Sequence, residues 1–193
     1  WLMAGAVQYI GPVNSLAGAF IRLNKNQKSM VLAHIGVGVA VLGMVGSGLL
    51  AQEREALMSR GDVLKVGPYV LELIDFTPVI GPNYTATQGR FDVREAKSGD
   101  EVTTLTPQRR TYPIAQSKTT ETAIRTGIKD AIYIALGEAE LGSGDNINRK
   151  WIVRAQYHPL IAFLWLGMGL VVLAALVHIP IRKVRLDPER YKK

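Results

Sequence analysis

Two long apolar runs, Met30 to Ala51 and Pro159 to Ile181, bracket a central stretch in which apolar and polar positions alternate over short distances. An α-helix needs about 20 consecutive apolar residues to cross the roughly 30 Å hydrocarbon core of a bilayer. Both runs meet that length without an acidic or basic charge, so the pattern predicts a transmembrane helix over 30–51 and another over 159–181. A buried helix of a soluble domain rarely stays uncharged for so long.

Between them, residues 52–158 read as a separate domain. After a polar lead, Val63 to Val79 has the β-branched and aromatic content of two strands joined at Gly67-Pro68, and Gly81-Pro82-Asn83 is a turn. Phe91 and Val93 alternate with charged neighbours in a strand from Tyr84 to Val93, Gly99-Asp100 marks a reversal, and Val102 to Tyr112 is expected to pair back. Thr119-Thr120-Glu121 places a hydroxyl before an acid and predicts a brief helix to about Lys129. Ile132, Ile134 and Leu136 alternate in a further strand, Leu141 to Arg149 is a polar loop, and Trp151 to Tyr157 is the last strand. The fold class expected is an integral membrane protein: transmembrane α-helices plus a mostly antiparallel β domain on the outer side. Residues 1–21, broken by Gln8, Pro12 and Asn14, read as the end of a preceding membrane or interfacial segment, and the rest of 1–29 as a cytoplasmic connection.

Charge orients this arrangement. Residues 1–30 carry three basic side chains and no acid, residues 52–158 carry 14 of each sign, and residues 182–193 carry six basic and two acidic. The entire net charge of +7 thus lies beside the apolar runs, which is the positive-inside pattern. It puts 1–29 and the basic tail 182–193 in the cytoplasm or an equivalent compartment and 52–158 on the outer side. A nucleic-acid partner is excluded, because the excess charge is absent from the folded part. With no cysteine, disulfides, thiolate metal sites and thiol nucleophiles are excluded as well.

Candidate chemistry is concentrated in one residue. Ala33, Gly36, Ala40, Gly43 and Ser47 recur at spacings of three and four, forming a small-residue face that admits a second backbone. His34 lies beside that face with Gly38 one turn on, and no other ionisable group shares its apolar run. An ionisable side chain in hydrocarbon costs about 2.5 kcal/mol or more, so His34 reads as functional, with haem ligation, a proton relay or an interhelical hydrogen bond as the candidates. One imidazole suits haem, which needs only one or two axial side chains, better than a four-ligand metal site. His158 and His178 stand at the ends of the second run and read as interfacial. Arg109-Arg110 reads as a solvated pair, with an acidic group such as a propionate or a partner carboxylate as the alternative. No nucleophile–base pairing, phosphate loop or paired-carboxylate motif is visible, so no catalytic residue is expected in this segment and an outer-face hydrolase is disfavoured.

Met30 to Gly36, Gly81-Pro82-Asn83-Tyr84, Pro107 to Pro113, Thr119 to Ile124, Asp130 to Tyr133, Leu136-Gly137-Glu138, Trp151 to Arg154, Pro159-Leu160 and Trp165-Leu166-Gly167 occur in an order that resembles the C-terminal part of the CcmF family. That family is the haem lyase component of cytochrome c maturation, with a close relative in nitrite reductase assembly. The resemblance implies that His34 is an axial ligand to the iron of a b-type haem, one of two from membrane helices. It implies as partners the N-terminal remainder of the lyase, a haem chaperone, apocytochrome-presenting subunits and apocytochrome c, to whose Cys-x-x-Cys-His motif haem is attached. Only Trp1, Trp151 and Trp165 are present, widely separated, so the family's tryptophan-rich haem-handling loop and its flanking histidines are missing here. The expectation is a fragment, or one subunit of a split lyase, that does not ligate haem alone. The position of His34 near the inner flank implies a haem that passes electrons more readily than it serves as substrate. The rival reading is a membrane-anchored structural or sensory protein with an outer β domain and no catalysis.

Overall fold

Asn24 and Gln27 start the first helix. The Asn24 side-chain oxygen accepts the Gln27 backbone N–H at 2.9 Å and the Gln27 side-chain oxygen accepts that of Asn24 at 2.9 Å, a reciprocal capping box. Helix α1 therefore runs Lys25–Leu49, taking in residues expected to be a polar connection. The computed structural model describes residues 21–140 and 149–179. The expected first membrane segment, most of the polar loop after Leu141 and the basic tail lie outside the described residues. The second apolar run forms α2, Ile161–His178. Both helices are long and apolar enough to cross a membrane.

The chain divides into a helix unit, which holds 21–42 and 164–179 of the described residues, and a β unit, 43–163. In the helix unit the two helices are antiparallel: Lys25 Nζ donates to the Ile179 carbonyl at 2.8 Å, Ser29 Oγ donates to the Ala174 carbonyl at 2.8 Å, and Gly36 lies against Gly167. A Cβ added at Gly36 would stand 2.8 Å from the Gly167 carbonyl oxygen and 2.9 Å from the Val171 nitrogen, so the backbones touch and only glycine fits. The buried seam is made of Ser29, Val31, Gly36 and Ala40 facing Gly167 and Ala174, while Val37, Val41, Trp165, Leu166 and Val172 are exposed. Small residues inside and large apolar residues outside invert the pattern of a soluble helix pair and suit a lipid surround.

The β unit is a sandwich. One sheet has the order β1–β10–β9–β8, built from Gln52–Met58, Trp151–Pro159, Asp130–Ala139 and Ala123–Thr126. The other has the order β2–β3–β4–β6–β7, built from Val63–Val66, Tyr69–Ile80, Thr85–Glu95, Gln108–Tyr112 and Ser117–Glu121, with β5, Glu101–Leu105, also paired to β4. Every pairing is antiparallel. Alternate residues of the two sheets bury Leu71, Leu73, Phe91 and Val93 against Ile132, Ile134, Leu136 and Val153.

Three expectations are corrected. The segment after Thr119 is not helical: β7 pairs with β6 in one sheet and β8 pairs with β9 in the other, so the chain changes sheets at Thr122. Its β-branched residues, Thr119, Thr120, Thr122, Ile124 and Thr126, and the ladders on either side override the local N-cap signal. The polar lead contains strand β1, whose register with β10 sets Glu53 opposite Gln156 and Glu55 opposite Arg154. Arg154 pairs with both acids, at 3.1 Å to Glu53 and 2.9 Å to Glu55, so this edge strand is held by cross-strand charge where apolar alternation is lacking. The stretch 102–112 is two strands, because Pro107, which is fully buried, has no N–H for the ladder; its carbonyl accepts the Gly89 N–H at 3.0 Å instead.

Candidate functional site

His34 sits in the third turn of α1, where the helix leaves its polar start. Its Nδ1 lies 2.8 Å from the Met30 carbonyl oxygen, one turn earlier. A carbonyl has no proton to give, so Nδ1 carries the hydrogen and donates it, and in the neutral imidazole the lone pair belongs to Nε2. The backbone thereby fixes the ring's tautomer and orientation, as the hydrogen bond behind a metal-binding histidine does. The ring is exposed, and so are Met30, Val37 and Val41 at positions i−4, i+3 and i+7 around it. The small-residue seam expected beside His34 packs α2, and His34 itself is not part of it.

A flat apolar group with one open axial position fits these residues. Nε2 supplies one directed lone pair, Met30, Val37 and Val41 supply an apolar wall, and Gly38 places no side chain on the turn after the imidazole. Among the described residues no group of three or more His, Cys, Asp or Glu side chains converges.

The remaining histidines are placed differently. His158, in β10, meets Tyr133 edge to face with centroids 5.3 Å apart, a packing role. His178 is the last residue of α2 and is exposed.

Arg109 and Arg110 separate across β6. Arg110 turns to the outer face, its guanidinium 4.5 Å from the Tyr84 ring centroid and 3.4 Å from Glu121. Arg109 turns inward, its Nη1 donating to Thr120 Oγ1 at 2.6 Å and its Nη2 to Glu138 at 3.2 Å. Strand alternation alone dictates this split, so the two arginines, expected as one pair, face different surroundings.

A buried cluster joins the two sheets. Tyr69, on β3, donates to the Asp130 carboxylate at 3.0 Å, and Arg125 Nη1 donates to the Tyr69 oxygen at 3.0 Å and lies 3.7 Å from Asp130. Burial, followed by the hydrogen bond to Asp130, holds the Tyr69 hydroxyl above its ordinary range. Burial, followed by the Asp130 charge, does the same to Tyr157. The pairing of Tyr69 with Asp130 spans 61 positions and leaves no local mark in the sequence.

Residues 49–159 match the family model described as the CcmF C-terminal beta-sandwich. The chain is 36% identical over 158 residues to the cytochrome c-type biogenesis protein CcmF of Pseudomonas aeruginosa, covering 80% of this chain and 23% of that protein. It is 31% identical over 186 residues to the CcmF of Escherichia coli, covering 92% of this chain and 28% of that one. A solved structure, cytochrome c heme lyase CcmF, superposes with a TM-score of 0.60 at 15% identity, over 93% of this chain and 33% of that chain, which is a likeness of fold. The chain thus spans about a quarter of the length of the curated relatives it matches.

Proposed function

Because the chain belongs to the CcmF family, we propose that it is the haem-binding C-terminal part of a cytochrome c haem lyase complex, with His34 an axial ligand to the iron of a b-type haem. One observation carries the reading: the Met30 carbonyl takes the Nδ1 hydrogen at 2.8 Å and leaves the Nε2 lone pair directed away from the helix backbone.

On this reading α1 and α2 span the inner membrane, residues 52–158 stand in the periplasm, and the basic flanks lie in the cytoplasm. The proposed partners are the N-terminal remainder of the lyase, which supplies the second axial ligand and the haem-handling loop, a haem chaperone, apocytochrome-presenting subunits and apocytochrome c. Haem bound at His34 supplies one-electron exchange, remote from the outer face where thioether bonds form. The chain's own contribution is to orient the imidazole through the Nδ1–H bond to Met30, to present the apolar wall of Met30, Val37 and Val41, and to fix α1 against α2 through Gly36 and Gly167. Ligation of haem to the apocytochrome belongs to the whole complex.

The test is the haem content of the complex purified with this chain and the remainder of the lyase together. Replacing His34 by alanine is expected to lower the haem-to-protein ratio, measured as the pyridine haemochrome, while the complex still assembles. An unchanged ratio contradicts the proposal.

A further inference from the structure

The inner face of the larger sheet is apolar at one end and polar at the other. Along β4, Phe91 and Val93 enter the core, whereas Thr87 and Thr85, on the same face, do not. The register carries that polar end across the sheet: Thr87 pairs with Arg109 and Arg109 with Thr120, Thr85 pairs with Thr111 and Thr111 with Lys118. Opposite stand Glu138 and Ala139 near the end of β9, with Arg149 and Trp151 where β10 begins. These residues enclose a cleft of about 560 Å³, within the roughly 300–1,000 Å³ that small organic ligands occupy.

The cleft holds three cations, Arg109, Arg149 and Lys118, against one acid, Glu138. Arg109 and Lys118 share that carboxylate, at 3.2 Å and 3.7 Å. The Nε atoms of Arg109 and Arg149 are both buried and have no hydrogen-bond partner among the described residues. Buried guanidinium donors normally find acceptors, because an unsatisfied one costs about 1–3 kcal/mol. An anion drawn in by the excess of two positive charges is the partner that answers both features, reaching the covered Nε donors as the two arginine side chains shift. Ala139 and Trp151 add apolar surface for a body larger than an inorganic ion.

We propose that this cleft is a binding site for an organic carboxylate, with the carboxylate received by Arg109 and Arg149 and the apolar body resting beside Trp151. The site lies in the β-sandwich and stands independently of the His34 reading.

The test uses the full chain in lipid nanodiscs with Trp1 and Trp165 replaced by Phe, so that Trp151 alone reports. Benzoate is titrated in one arm and an amide-capped glutamate in another, with sodium chloride and inorganic phosphate as controls. Saturable quenching by benzoate or by the capped glutamate is expected, and the tighter of the two identifies a small-molecule or a side-chain carboxylate as the source. Arg149→Gln is expected to weaken binding about tenfold, the size of one charge-assisted hydrogen bond. Arg154→Gln, on the outward, exposed edge pairing, should leave it unchanged. The proposal is overturned if neither carboxylate quenches beyond sodium chloride, if phosphate binds as well as both carboxylates, or if Arg149→Gln binds like the parent. Because Arg149 makes no side-chain hydrogen bond through Nε among the described residues, its replacement tests binding without removing a known Nε contact.

Discussion

Gly36 and Gly167 meet backbone to backbone: the space a Cβ on Gly36 would take is already held by the Gly167 carbonyl 2.8 Å away. Lipid supplies no hydrophobic drive for two helices to associate, so close packing and the hydrogen bond from Ser29 to the Ala174 carbonyl must hold the pair. Replacing Gly36 by valine is expected to force the helices apart and cost about 1–3 kcal/mol, read as a lower unfolding midpoint of the chain in detergent. Gly48→Ala, at a helix position with open space around it, is the control and should cost nothing. Equal behaviour of the two variants contradicts the seam.

Asp130 is expected to be the most sensitive polar residue of the β-sandwich. Its carboxylate accepts from Tyr69 and neutralises Arg125, so Asp130→Ala strands a hydroxyl and a partly buried guanidinium. The expected cost is about 2–3 kcal/mol, measured by urea unfolding, with Asp130→Asn intermediate because it keeps one acceptor. A loss below that of an exposed substitution such as Glu101→Ala would show that the cluster is not holding the sheets together.

The same cluster predicts an alkaline limit. The Tyr69 hydroxyl is raised above its ordinary value of 10.0 by burial first and Asp130 second. The folded chain therefore keeps a proton that the unfolded chain releases, and stability declines as pH rises above about 10 towards the folded value. Tyr69→Phe should lower stability at neutral pH and flatten that decline. A thermal midpoint that falls equally steeply in both proteins between pH 9 and 11 contradicts the assignment.

Much of this architecture was legible because periodicity and burial agree. The two apolar runs gave both helices, and alternation at Phe91/Val93 and Ile132/Ile134/Leu136 gave strands whose inward residues are fully buried. The small-residue face pointed to a second backbone, and Gly36 and Ala40 are indeed buried, with Ser29 extending the seam below them. What failed did so where long-range pairing decides. Strand β1 has no apolar alternation and depends on Arg154 a hundred residues away. Strands β7 and β8 carried a helix-start signal that the ladders on both sides overrode. The start of α1 was legible in principle, since Asn24 and Gln27 have the spacing of a capping box. The partner of the His34 Nδ1 was not, because a backbone carbonyl leaves no mark in the sequence of side chains.

The most direct test of His34 is chemical rescue in the assembled complex. His34→Gly removes the imidazole and leaves its space, so the complex is expected to lose the Soret and α bands of six-coordinate haem, and added free imidazole is expected to restore them at millimolar concentration. Restoration would mean that an imidazole nitrogen at this position is bonded to iron, the role proposed for the Nε2 that the Nδ1–H bond to Met30 leaves available. A His34→Gly complex whose spectrum matches the parent without imidazole, or does not respond to it, contradicts ligation by His34.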